Sequence, residues 1–294
     1  TADKKVDEYA IGRLITYYQA HNLDGVFINS SSGEYFAMTQ PQREQALLAA
    51  TKFIADNPMH SKKPFWILSG ISADNMEEAI CNGLKAAELG ADVAVAMPPR
   101  FYTYNDDELV LFFYSIAEAL PIPLMIYNHM IRLNNKLSID CVVRLSDHPN
   151  IIGIKDTHND AVRLMNLLEI FRKNDHFSVF AGGDALAGIS ALMGGCQMNA
   201  LCAVAPNLFL RLQEAGSRQD VDTVMNLQKD VYSLMRLYTL IQRPGNSMSA
   251  FSQSLKAALK SMGLCDTYTA QLGFMIDEKE MSTVRDFIHP FIYS

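Results

Sequence analysis

The sequence predicts a (β/α)8 barrel with a C-terminal helical extension, and three observations carry that expectation. Seven short apolar runs recur along the chain, at 24–29 (DGVFIN), 64–70 (PFWILSG), 92–97 (DVAVAM), 123–128 (PLMIYN), 151–156 (IIGIKD), 177–182 (FSVFAG) and, more weakly, 197–205 (QMNALCAVA). These runs are apolar throughout rather than alternating, the pattern of strands buried on both faces of a parallel sheet. A helical pattern follows each run, as repeated βα units require.

The helix starts can be read individually. Thr39 with Gln42 forms a capping-box pattern that opens a helix to about Asp56, and Asn105 with Glu108 opens another through Glu118. A helical segment over 7–22 precedes the first apolar run, so in a βα series the first barrel strand is expected upstream of Thr1. After Asn207 the pattern is helical to the end, with segments near 219–241, 248–263 and 278–291. The expected division is therefore a barrel over 1–216 and a C-terminal helical region over 217–294 packed on it.

Composition narrows the function. With 294 residues, 49% of them hydrophobic and 19% charged, the chain can bury a substantial core and is not a disordered polymer. A net charge of −7 with no clustered Lys and Arg argues against a nucleic-acid partner and favours a small molecule. The cysteines at 81, 141, 196, 202 and 265 include no CxxC and sit with no His pair at metal spacing, so neither a disulfide framework nor a metal site is signalled. A reducing cytoplasm is the expected setting. No apolar run approaches the ~20 residues of a membrane span. The nucleotide-loop patterns GxGxxG and GxxxxGK[ST] are absent, and no cofactor is implied.

In a barrel, chemistry sits at the C-terminal ends of the strands. Those positions are 29–34, Ser69, 98–104, Tyr127 with Asn128, Lys155, 182–184 and Asn199. Lys155 closes an apolar run, where an amine is either paired with a carboxylate such as Asp156 or used as a nucleophile on a carbonyl. Tyr127 is either a proton-transferring hydroxyl or a core tyrosine satisfied by backbone. The SSSGE run at 30–34 offers hydroxyls and closely spaced N–H groups suited to a carboxylate, or is an ordinary Ser/Gly loop. His129 and His158 stand beside these positions as hydrogen-bonded bystanders.

The ordered set SSSGE, PPRFYTYNDDEL, PLMIYN, IIGIKDT, FAGGDALAGISALMGG and VAPN resembles the family of dihydrodipicolinate synthase and N-acetylneuraminate lyase, from about Val6 to about Gly263. These are pyruvate-dependent class I aldolases on a (β/α)8 barrel, homotetramers or homodimers without a cofactor. The resemblance implies that Lys155 forms a Schiff base with pyruvate or a related 2-keto acid and that Tyr127 shuttles protons. Ser31 and Ser32 match the hydroxyl pair of the family's Gly-Thr-Thr-Gly-Glu motif, which relays protons and holds the keto-acid carboxylate; Gly33 and Glu34 complete it. Arg132 matches the arginine that binds a carboxylate of the aldehyde co-substrate.

The chain also departs from the pattern. Ser30 replaces the motif's leading glycine, so positive φ is not freely available there. Phe101 falls where dihydrodipicolinate synthases lend a tyrosine across a dimer contact, with Tyr102 one place later, so either Tyr102 substitutes or the proton relay is shorter. HMIRLNN replaces the usual continuation after YN, and Asn199 stands near a position usually apolar. The implied activity is a lyase or synthase acting on a carbon–carbon bond, either dihydrodipicolinate synthase-like or 2-keto-3-deoxy sugar acid aldolase-like. The alternatives are a 2-keto acid dehydratase and a non-catalytic barrel that binds 2-keto acids.

Overall fold

The computed structural model describes residues 1–58, 63–129, 134–241 and 248–292. After helix α1 (Glu8–Ala20), strands and helices alternate: β1 (Gly25–Ile28), α2 (Gln40–Asp56), β2 (Trp66–Gly70), α3 (Met76–Glu88), β3 (Val93–Ala96), α4 (Asp106–Ala119) and β4 (Leu124–Asn128). The series continues through α5 (Ile139–Ser146), β5 (Ile151–Asp156), α6 (Ala161–Ile170), β6 (Ser178–Ala181), α7 (Ala187–Leu192), β7 (Cys196–Gln197) and α8 (Pro206–Ser217). Four helices complete the chain: α9 (Val221–Met235), α10 (Leu237–Leu240), α11 (Met248–Ser261) and α12 (Glu278–Ile292).

The seven strands form one parallel sheet in the order β1 to β7, curled into a half-barrel with the helices outside. Both expected capping boxes are formed. Gln42 N–H donates to Thr39 Oγ1 at 3.4 Å while Thr39 N–H donates to Gln42 Oε1 at 2.9 Å; the Asn105–Glu108 pair closes at 3.0 and 2.8 Å.

Why the strands read as unbroken apolar runs is clear from where their side chains go. Val93 and Val95, then Met125 and Tyr127, turn to an inner cluster with Leu68, Met97, Phe27 and Phe180. Their neighbours Ala94, Ala96, Leu124 and Ile126 turn the other way, into a core shared with Leu109, Phe113 and Ile116 of α4. Both faces are buried, as parallel strands require. A second core joins α7 and α8 to the C-terminal helices through Leu208, Leu212, Val231, Ala258 and Val284.

One element is shorter than the sequence suggests. The seventh apolar run, 197–205, is a strand only at its start: β7 ends at Gln197, and Leu201–Ala203 is a 3-10 turn. Leu201, Val204 and Ala205 are apolar because they fill the second core from a loop, not because they pair in a sheet. Short apolar runs do not distinguish these two fates. The 219–241 segment is likewise two helices, α9 and α10, with Arg236 between them.

Candidate active site

Strand parity places the site. Tyr127 and Lys155 are register partners in the β4–β5 ladder, and Lys155 is the partner of Phe180 in β6. Ile126 and Ile154 face the outer core, so the next residue on each strand faces inward. Lys155 is 7% exposed and Tyr127 3%. The Lys155 amine lies 4.3 Å from the centre of the Tyr127 ring and 5.2 Å from that of Phe27. Among the described residues, it forms no ion pair.

Asp156, the carboxylate weighed as a partner for Lys155, is paired elsewhere. Its carboxylate faces outward, where Oδ2 accepts from Arg163 Nε and from Asn128 Nδ2, each at 3.0 Å, and Oδ1 accepts from the His158 N–H at 2.9 Å. Asp156 thus ties β4, β5 and α6 together behind the site and leaves the Lys155 amine to face the interior.

The SSSGE loop follows β1 and crosses to the same strand ends. Ser31 Oγ and Tyr127 Oη are 3.0 Å apart, a hydrogen bond in which either can donate. Ser30 Oγ accepts from the Gly33 N–H at 3.1 Å, and Ser32 is half-buried beside them. The positive φ angles fall at Asn29 (57°) and Glu34 (63°) rather than at Ser30. Asparagine tolerates that region better than most residues, which is how the loop turns without its leading glycine.

Of three further neighbours of the amine, Gly182 lies among the expected strand-end positions, while Phe27 and Thr157 were not singled out from sequence. Phe27 walls the amine on the β1 side. Thr157, two residues beyond Lys155 on the same face, has a buried hydroxyl with no hydrogen-bond partner. Gly182 is required because a Cβ there would collide with Thr157 Oγ1 and come within 2.9 Å of Lys155 Cε. Gly182→Ala is therefore expected to destabilise the fold by ~1–3 kcal/mol and to displace the amine. A melt combined with imine trapping would detect both effects.

The remaining expected site residues are placed differently. Tyr102 is 67% exposed and stacks edge-on against Phe101, itself 73% exposed, with ring centres 5.0 Å apart. Both border a surface cleft shared with Phe36, Asp74 and Arg100, which Lys155 does not line. Asn199 is buried at 8% exposure with neither amide atom hydrogen-bonded. Arg132 and Met130 lie outside the described residues. His129 is buried, its ring centre 5.8 Å from that of Tyr127. His158 is half-buried and its pKa is held down, chiefly by desolvation.

A buried carboxyl lies nearby. Asp184 accepts from the Tyr238 hydroxyl at 2.7 Å and from the Leu201 N–H at 3.4 Å. Burial pushes its pKa up; those hydrogen bonds and the Lys155 charge pull the other way and are outweighed. Because the folded pKa exceeds the unfolded one, the stabilisation from this group is complete below the unfolded value of ~3.9 and is lost as pH rises through the folded value. Wild type should therefore be most favoured over Asp184→Asn near pH ~4 and progressively less so toward neutrality. Melting both proteins across that range checks it; a pH-independent gap would contradict it.

Among the described residues, no cluster of His, Cys, Asp and Glu could hold a metal ion, no helix is long and apolar enough to cross a membrane, and all five cysteines are free.

A buried lysine on the inner face of a curled parallel sheet stands between two aromatic rings, beside a Ser–Tyr hydrogen bond, on the fold of a class of barrel lyases. The chain belongs to the dihydrodipicolinate synthetase family, whose model it matches over residues 1–289. Members of this family are lyases and aldolases. The chain is 26% identical to an uncharacterised DapA-like lyase of Thermococcus kodakarensis over 282 residues, 95% of this chain and 91% of that one. It is also 26% identical to the 4-hydroxy-tetrahydrodipicolinate synthase of Methanosarcina mazei over 245 residues, 83% and 81% of the two chains. In structure it resembles a dihydrodipicolinate synthase of Acinetobacter baumannii complexed with pyruvate, with a TM-score of 0.84, 24% identity and 98% and 94% of the two chains covered. A prophage protein of Escherichia coli K12 from the same family, also in complex with pyruvate, gives a TM-score of 0.87 at 23% identity, covering 99% and 94%.

Proposed function

We propose that this protein is a Schiff-base lyase or synthase acting next to the carbonyl of pyruvate or a related 2-keto acid. The observation that carries the reading is the inward Lys155 amine, in no ion pair among the described residues, packed on Tyr127 whose hydroxyl is hydrogen-bonded to Ser31. The neutral amine attacks the keto carbon, and loss of water from the adduct leaves an imine on Lys155. Tyr127 and Ser31 pass the protons that these steps require. The protonated imine then accepts an electron pair from the adjacent carbon, so a bond there can be broken, or made in reverse with an aldehyde. Ser32 and the N–H groups of the loop at Gly33, whose own N–H is turned to Ser30 Oγ before substrate binds, hold the keto-acid carboxylate.

The second substrate is assigned to Arg132, Tyr102 and Asn199. An assembly of two or four copies would cover Phe101 and Tyr102 and could bring Tyr102 to a neighbouring site. The departures after Asn128 and at Phe101 favour a member outside dihydrodipicolinate synthesis, acting on a 2-keto-3-deoxy sugar acid. A dehydratase would use the same imine to expel hydroxide. A barrel that binds keto acids without turnover would form the imine and stop.

Coupled assays of pyruvate release from sialic acid and 2-keto-3-deoxy sugar acids, beside condensation of pyruvate with aspartate semialdehyde, separate these readings. Release from a sugar acid is the expected result. Condensation with aspartate semialdehyde alone would move the assignment to a dihydrodipicolinate synthase, and imine formation without any turnover would leave the binding barrel.

A further inference from the structure

Glu34 completes the SSSGE motif, yet its carboxylate is bound by the C-terminal region. Its side chain is 11% exposed, and both carboxylate oxygens are engaged by the C-terminal region. Oε2 accepts from Lys256 Nζ of α11, and Oε1 accepts from the Gln271 N–H at 3.1 Å. Lys256 also donates to the Thr269 carbonyl at 2.7 Å, so one amine joins α11, the segment after it and the loop. That segment is itself fastened: Gln253 of α11 donates to the Phe274 carbonyl at 2.7 Å and accepts from the Phe274 N–H at 3.1 Å. At the other end, the Lys4 amine donates to the Gln271 carbonyl at 2.8 Å and Gln271 Nε2 donates to the Lys4 carbonyl at 3.1 Å.

The clamp reaches the reacting groups in few steps. The Glu34 N–H donates to the Ser31 carbonyl at 3.2 Å, and the Tyr35 N–H donates to that of Ser30 at 3.2 Å. Ser31 Oγ then bonds Tyr127, which packs on the Lys155 amine. Glu34 holds left-handed backbone geometry, which an exposed glutamate would readily abandon and a doubly anchored one does not. A carboxylate so little exposed is also costly to leave unpaired.

We propose that the C-terminal helical region is a working part of the site, with Glu34 and Lys256 as positioning residues that hold the Ser31–Ser32 loop in register with Tyr127 and Lys155. The proposal rests on the keto-acid reading above. A loop displaced by about 1 Å can cost ~100-fold in an oriented reaction, so the loss should appear in capture of the keto acid before it appears in the fold.

The test measures borohydride-trapped adduct on Lys155 as pyruvate is titrated, at temperatures well below each variant's melt. In Lys256→Met and Glu34→Gln, the half-saturating pyruvate concentration should rise ~10-fold or more, with adduct still reached at saturation. Lys256→Arg keeps the cation and should stay near wild type. If Lys256→Met fails to fold, Glu34→Gln decides, since it preserves the loop's shape and one acceptor oxygen. Lower melting temperatures with unchanged half-saturation would overturn the proposal and leave a purely structural tie. A wild type that traps no pyruvate would overturn the keto-acid reading and the proposal with it.

Discussion

Lys155→Ala should lose turnover by at least ~10⁴-fold, the scale on which removal of a covalent nucleophile is felt, and should form no imine. No other described residue offers an amine to the inner face at this level: Tyr127 and Phe180 flank Lys155 in the sheet, and Phe27 closes the third side. The loss should not be a folding defect. Lys155→Met keeps the stem that packs on the two rings and removes a polar group 7% exposed, so its melting temperature should equal or exceed that of wild type. A fall in stability matching the loss of activity would show instead that the amine is a structural partner.

The second large effect is at the hydroxyl. Tyr127→Phe keeps the ring against the amine but removes the group bonded to Ser31 Oγ at 3.0 Å. Turnover should fall by ~10²–10⁴, the worth of a positioned proton donor or acceptor, while stability changes by ~1 kcal/mol, the worth of one hydrogen bond. Imine should still form, more slowly, because the nucleophile is intact. Pre-steady-state trapping separates the two: a slow approach to full adduct is expected, whereas a wild-type rate would remove Tyr127 from proton transfer.

What could be read in advance divides along a physical line. Strands such as β4 and β5 were legible because burial on both faces leaves an unbroken apolar run, and Lys155 stood out as the charge ending one of them. The helix starts at Thr39 and Asn105 were legible because a cap is a local bond. The extent of β7 was not, since Leu201 and Val204 are as apolar in a buried turn as they would be in a strand. Nor was the ion-pair question at Lys155, which turned on whether Asp156 faces Arg163. The reciprocal contacts of the site lie beyond any local pattern: Ser31 and Tyr127 are 96 residues apart, and Glu34 and Lys256 are 222 apart. Thr157 could have been found by parity, as the residue two beyond Lys155, just as Gly182 was found where β6 ends.

The central claim is covalent chemistry at one amine. Borohydride reduction in the presence of pyruvate, followed by peptide mass spectrometry of wild type and Lys155→Ala, tests it most directly. A reduced pyruvyl adduct on the peptide containing Lys155, absent from the variant, is the predicted result; no adduct under conditions that trap an established class I aldolase, or an adduct at another lysine, would contradict it.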